Sequence, residues 1–191
     1  MSVIYDKIST RDAFGVALGE AADKYPNLFA VGADTTKSMG CKPMLAKHPD
    51  RVINNGIAEQ NMAMIGAGIA ASGGRAVVAT YAPFASMRIS EQIRTFVCYP
   101  NLDVKVVSGL AGLSGNIEGV THQGLEDIGV MRSMANMVIA VPADAASCIP
   151  ALKYTSFHAI VVTFEMWVLF GIIIIMNSKS TYGQIHVYHD R

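Results

Sequence analysis

Apolar positions along this chain follow two alternating rhythms. Behind Ser9, Thr10 and Asp12, which form a capping signal, Phe14, Ala17, Leu18 and Ala21 recur at helical spacing and predict a helix ending near Tyr25-Pro26. The short apolar run from Leu28 to Gly32 then reads as a strand. After a polar loop, Arg51 to Asn55 reads as a second short strand, and Ala58 to Ser72 as a helix rich in Ala, Gly and Met that Gly73-Gly74 ends. The rhythm continues with strands over Ala76 to Thr80, Val104 to Ser108 and Val138 to Val141. Between and after them, Ser86 to Val97, Leu125 to Met134 and Asp144 to Tyr154 are predicted helices.

Strands that are continuously apolar and alternate with helices predict the α/β class, a doubly wound, mostly parallel sheet with helices on both faces. In such sheets ligands sit beyond the carboxyl ends of the strands, which directs attention to the loops after Gly32, Asn54, Thr80, Ser108 and Val141. Those loops hold nearly every unusual residue of the chain.

With 191 residues, 51% of them hydrophobic, the chain is long enough for one full core and short for two. Fifteen basic and fifteen acidic side chains balance, with no long run of either sign, which leaves no electrostatic footprint for nucleic acid. Met1 to Lys7 carries Asp6 and lacks a basic stretch followed by an apolar one, so no secretory signal is expected and the cytoplasm is the natural compartment. Cys41, Cys98 and Cys148 are far apart and form no C-x-x-C pair; buried, reduced thiols are expected, with no disulfide framework or metal site.

Residue type alone leaves the chemistry open. Glu59, in the segment Asn55-Gly-Ile-Ala-Glu-Gln-Asn-Met62, stands where a strand meets a small-residue helix, and a helix amino end favours an anion. A first-turn helix acid accounts for it equally well. Tyr81 and Phe84 read equally as core aromatics. Arg88, Glu91, Gln92 and Arg94 read as a solvated helix face, His122 as a loop histidine, Arg11 as a helix-face cation and Ser38 as a turn hydroxyl.

The run GIAEQNM, followed by AGIAASGG, resembles the glutamate motif of the transketolase pyrimidine-binding domain, a family whose cofactor is thiamine diphosphate. The resemblance extends over Thr10 to Tyr154. It implies that Glu59 hydrogen-bonds N1′ of the aminopyrimidine ring, favouring the tautomer whose 4′-nitrogen removes the proton from thiazolium C2. Tyr81 and Phe84, in TYAPF, are implied to pack on the pyrimidine, and SMRISEQIR, with Arg88, Glu91, Gln92 and Arg94, resembles a family helix close to the subunit interface. His122, in the THQ segment, is implied to exchange protons with sugar hydroxyls. Asp34 corresponds to a position facing the cofactor pocket, and Arg11 and Ser38 to positions facing the substrate phosphate.

Two residues depart from the family pattern: Leu110 stands where a second histidine is usual, and Glu118 stands in register with an aspartate that meets the donor sugar's hydroxyl. The magnesium-diphosphate signature, G-D-G with a distant N, does not occur, so Mg²⁺ and the diphosphate are expected to be held by a partner chain. The pattern is similar to the second subunit of split bacterial transketolases. It implies a heterotetramer with a diphosphate-binding subunit, acting on phosphorylated sugars of the pentose phosphate type. Two alternatives stay open: a subunit of another thiamine enzyme, of the 2-oxoacid dehydrogenase β or deoxyxylulose-phosphate synthase type, or a truncated remnant without turnover.

The family-like domain is expected over residues 1–155, with residues 156–191 an atypical hydrophobic tail in place of the usual carboxyl-terminal domain. Ala159 to Met176 is almost wholly apolar, interrupted by Thr163, Glu165 and Gly171. Three origins compete for it. Ala159 to Phe164 fits one last parallel strand. A membrane anchor is disfavoured, because Glu165 near its middle costs about 2–3 kcal/mol or more and no basic cluster marks a cytoplasmic edge. The abrupt change of composition favours the third origin, an out-of-frame or disordered extension.

Overall fold

The computed structural model describes residues 8–115 and 117–148, and beyond them the backbone of strands at 160–163, 174–177 and 184–187. The first helix, α1 (Thr10–Lys24), starts where the capping signal places it: the Ser9 hydroxyl accepts the Asp12 N–H at 3.1 Å. Strand β1 (Leu28–Gly32) follows, then α2 (Lys42–Lys47), β2 (Val52–Asn54), α3 (Glu59–Ala71), β3 (Arg75–Tyr81), α4 (Ser90–Ile93), β4 (Val104–Gly109), α5 (Asp127–Arg132), β5 (Val138–Ala140) and β6 (Ile160–Thr163).

These six strands form one parallel sheet in the order β2-β1-β3-β4-β6-β5. Alternate residues of β1 to β5 feed two separate cores, as the two-residue period of a strand requires. Val78, Val106 and Ile139 pack with Met62, Ile89, Ile93 and Met131 on one face. Val77, Ala79, Val107 and Ala140 pack with Phe14, Leu18, Met39 and Met44 on the other. Each fully buried large side chain is worth about 1.5–3 kcal/mol. The small residues of α3 bring it close to the sheet: a methyl group added at Gly66 would lie 2.5 Å from Val78 Cγ1.

The doubly wound parallel sheet agrees with the sequence pattern, and three elements differ from it. The helix expected over Ser86 to Val97 is the single α turn α4 between two π-helical turns, Phe84–Arg88 and Arg94–Cys98, and such widened turns gather at functional sites. The helix expected over Leu125 to Met134 contracts to α5. The loop after β1 contains α2, which the pattern misses because it buries only Met44 and so leaves no apolar stripe. The rest of the helix expected to begin at Asp144 lies outside the described residues beyond 148.

Within the tail, Ile160–Thr163 forms a parallel strand between β4 and β5. Two further strands, β7 (Ile174–Asn177) and β8 (Gln184–Val187), pair antiparallel as a separate ribbon. Among the described residues no helix is long and apolar enough to cross a membrane. The middle of the apolar run, 164–173, lies outside the described residues.

Candidate functional site

Glu59 opens α3 at the carboxyl side of β2, and its side chain is 4% exposed. A carboxylate so buried needs a partner, and it has one in Arg88, whose Nη1 donates to Oε1 at 2.6 Å. Arg88 closes the π-helical turn that starts at Phe84, and its guanidinium lies 4.0 Å over the Phe84 ring. Gln60 Nε2 donates to the Arg88 carbonyl at 3.4 Å and ties the same turn to α3 a second time.

Phe84 in turn belongs to a cluster of three rings at the carboxyl end of β3. It meets His122 edge-on at 5.1 Å, Tyr81 lies 6.1 Å from Phe84, and Tyr81 lies 5.7 Å from His122. His122 reaches the cluster because its loop closes on itself just beyond β4. Gly112 and Gly124 exchange backbone hydrogen bonds of 2.8 and 3.0 Å, and a methyl group at Gly124 would lie 2.7 Å from Ala82 Cβ. Thr121 Oγ1 lies 3.0 Å from His122 Nδ1, which leaves Nε2 as the ring nitrogen available to a ligand.

On the other side, the Tyr81 hydroxyl donates to Ser38 Oγ at 3.0 Å, and Ser38 donates to the Thr35 carbonyl at 3.1 Å. Asp34, exposed and left-handed at φ 62°, accepts from Asn54 at 3.4 Å through its side chain and donates its N–H to Asn54 Oδ1 at 2.9 Å. One continuous set of contacts therefore links Glu59, Arg88, Phe84, His122, Tyr81 and Ser38, with Asp34 four residues before Ser38 in the same loop. Arg11 stands in the first turn of α1 with Nε 3.5 Å from Asp12. Glu118 is exposed in the turn before His122.

Sequence reasoning leaves Arg88 on a solvated helix face, and the structure places it on Glu59. Its partner lies 29 residues away, so no local spacing signals the pair. Leu110, buried just after β4, takes φ 57°. That region is rare for a side chain without local hydrogen-bonding capacity. The three thiols carry none of this chemistry: burial pushes Cys41 and Cys148 up to about 12 and Cys98 to about 11.

Residues 6–165 match the transketolase pyrimidine-binding domain. The chain belongs to that family. The match takes in β6, so the family region runs past residue 155 into the apolar tail.

Relatives of several kinds share it. An apulose-4-phosphate transketolase chain of Actinobacillus succinogenes is 38% identical over 128 residues, 67% of this chain and 41% of that protein. The 1-deoxy-D-xylulose-5-phosphate synthase of Desulfotalea psychrophila is 38% identical over 133 residues, 70% of this chain and 20% of that protein. A solved structure described as split gene transketolase, inactive beta4 tetramer, superposes with a TM-score of 0.74 at 34% identity, covering 84% of this chain and 52% of that one. This chain thus spans about two fifths of the apulose-4-phosphate transketolase chain and a fifth of the synthase.

The family's cofactor is thiamine diphosphate, and the residues fit its ring. A flat heteroaromatic group that carries a hydrogen-bonding nitrogen needs a buried carboxylate and aromatic faces, and Glu59, Phe84 and Tyr81 supply them. Thr80 Oγ1, at the carboxyl end of β3, and Asn55 Oδ1, after β2, are buried and have no hydrogen-bond partner among the described residues, so polar atoms are left at this mouth for a ligand.

Proposed function

We propose that this chain is the pyrimidine-binding subunit of a thiamine-diphosphate-dependent transketolase, transferring a two-carbon ketol unit between sugar phosphates. The observation that carries the reading is the buried Glu59 carboxylate, joined through Arg88 and Phe84 to the Tyr81 and His122 rings. Bound thiamine diphosphate supplies the thiazolium that stabilises a carbanion.

The chain's own residues then divide the remaining work. Glu59 hydrogen-bonds N1′ of the aminopyrimidine from a site where burial keeps water off the shared proton. Tyr81 and Phe84 seat the ring, and Asp34 lines the pocket beside them. His122, with Nδ1 occupied by Thr121, moves protons of sugar hydroxyls at Nε2. Arg11 and Ser38 receive the substrate phosphate, and Glu118 the donor sugar's hydroxyl.

A diphosphate-binding subunit completes the site in a cytoplasmic heterotetramer. It also supplies the Mg²⁺ ligands, oxygen donors suited to that hard cation. The segment after the family match reads as an out-of-frame extension. Resequencing the locus tests this: a frame that continues into an ordinary carboxyl-terminal domain supports it, and an intact frame with abundant 191-residue product rejects it.

Leu110 and the match to a deoxyxylulose-phosphate synthase favour a second reading, in which the same domain serves a thiamine enzyme with a different donor. The experiment is to mix the chain with a diphosphate-binding subunit, thiamine diphosphate and Mg²⁺. Transfer from a ketose phosphate to an aldose phosphate in the mixture supports the transketolase. Turnover only with a 2-oxoacid donor moves the assignment to the second reading, and no turnover with either donor leaves a non-catalytic remnant.

A further inference from the structure

The Arg88 guanidinium is a flat N–H donor that holds one oxygen of Glu59 at 2.6 Å and covers the Phe84 ring at 4.0 Å. A carboxylate bond on one side and an aromatic face on the other are the contacts expected of the pyrimidine ring at this site. Arg88 makes them from a side chain that is 45% exposed, whereas Glu59 is 4% exposed. The guanidinium is thus the end of the pair that can swing into solvent without breaking the core. Its backbone is held independently, through Gln60 to the Arg88 carbonyl, so release of the side chain leaves the π-helical turn in place.

We infer that Arg88 is a self-ligand of the cofactor site. In the cofactor-free chain it neutralises the buried Glu59 and covers Phe84, and it must withdraw from both when the pyrimidine ring is seated. This rests on the reading of Glu59 and Phe84 as the pyrimidine seat. Arg88 is then a positioning residue that keeps Glu59 aimed before loading and competes with the cofactor for the same two contacts. A supporting residue that stayed on Glu59 in the loaded state would behave in the opposite way.

The test is calorimetric titration of thiamine diphosphate with Mg²⁺ into the chain combined with its diphosphate-binding subunit, for wild type, Arg88→Met and Arg88→Lys. Methionine covers Phe84 without donating to Glu59; lysine keeps the charge without the flat fork. The expected result is tighter binding to Arg88→Met, by about fivefold, the worth of one half-exposed charged pair, with Arg88→Lys in between. The cofactor-free Arg88→Met chain melts at a lower temperature, because Glu59 is left buried without its partner, and that melt also shows that the variant folds. Equal or weaker binding by a folded Arg88→Met chain overturns the self-ligand while leaving the pyrimidine seat intact. No binding by wild type in any combination overturns both.

Discussion

The Phe84 ring and the His122 imidazole form a T-shaped pair with centroids 5.1 Å apart, although 38 positions separate the two residues in the chain. Phe84 begins the π-helical turn after β3, and His122 ends a loop after β4, so neighbouring strand ends bring them together. The contact joins the loop after β4 to the turn after β3.

Replacing His122 by Ala is expected to lower kcat/KM of the assembled enzyme by about 10²-fold or more, the usual worth of a placed acid–base group. Cofactor affinity should change far less. Steady-state kinetics beside calorimetry separate the two, and an equal loss in both would assign His122 to binding the cofactor.

Gly124 sets the height of that loop. In Gly124→Ala the new methyl meets Ala82 Cβ at 2.7 Å and Pro83 at 3.2 Å, so a cost of about 1–3 kcal/mol in stability is expected. The loss of turnover should exceed what the lower melting temperature explains, because the displaced loop carries His122. Thermal melts and kinetics on the same preparation check this.

How much of this was legible beforehand differs from element to element. The bounds of α1 follow from the Ser9 cap and Pro26, and β1, β3 and β4 follow from unbroken apolar runs that a buried parallel strand requires. The place of the site follows as well, because loops beyond strand carboxyl ends of such a sheet gather the unusual residues. The interior position of β6 was not legible, since an apolar run reports burial and says nothing of its neighbours. Neither was the Arg88–Glu59 pair, in which a residue that reads as a solvated cation turns out to pair with a buried acid 29 residues away.

Arg51 is buried and donates to the Ala22 and Tyr25 carbonyls at 3.0 Å, which satisfies the end of α1. Arg51→Ala is expected to cost about 2–3 kcal/mol, since charged hydrogen bonds to buried carbonyls are lost. Denaturant unfolding checks it; a loss below roughly 0.5 kcal/mol, the surface range, would place the bonds in water's reach.

Lys105, 6% exposed on β4, is lowered to about 7 by burial and by the charge of Arg75, with the Asp103 carboxylate in contact acting the other way. The unfolded chain, with lysine near 10.5, binds more protons between those values, so stability is expected to rise with pH from about 7 upward. Lys105→Met removes that rise. Melting curves from about pH 6 to 10 on both proteins check the sign, and parallel curves would show that Asp103 holds Lys105 charged throughout.

Glu59 is proposed to engage and activate thiamine diphosphate. The most direct measurement of this is titration of thiamine diphosphate with Mg²⁺ into the chain paired with its diphosphate-binding subunit, for wild type and Glu59→Gln, with turnover recorded on the same samples. Binding by wild type, and turnover in Glu59→Gln reduced by about 10²-fold or more, is the predicted result. Full turnover in a folded, cofactor-loaded Glu59→Gln enzyme would contradict it.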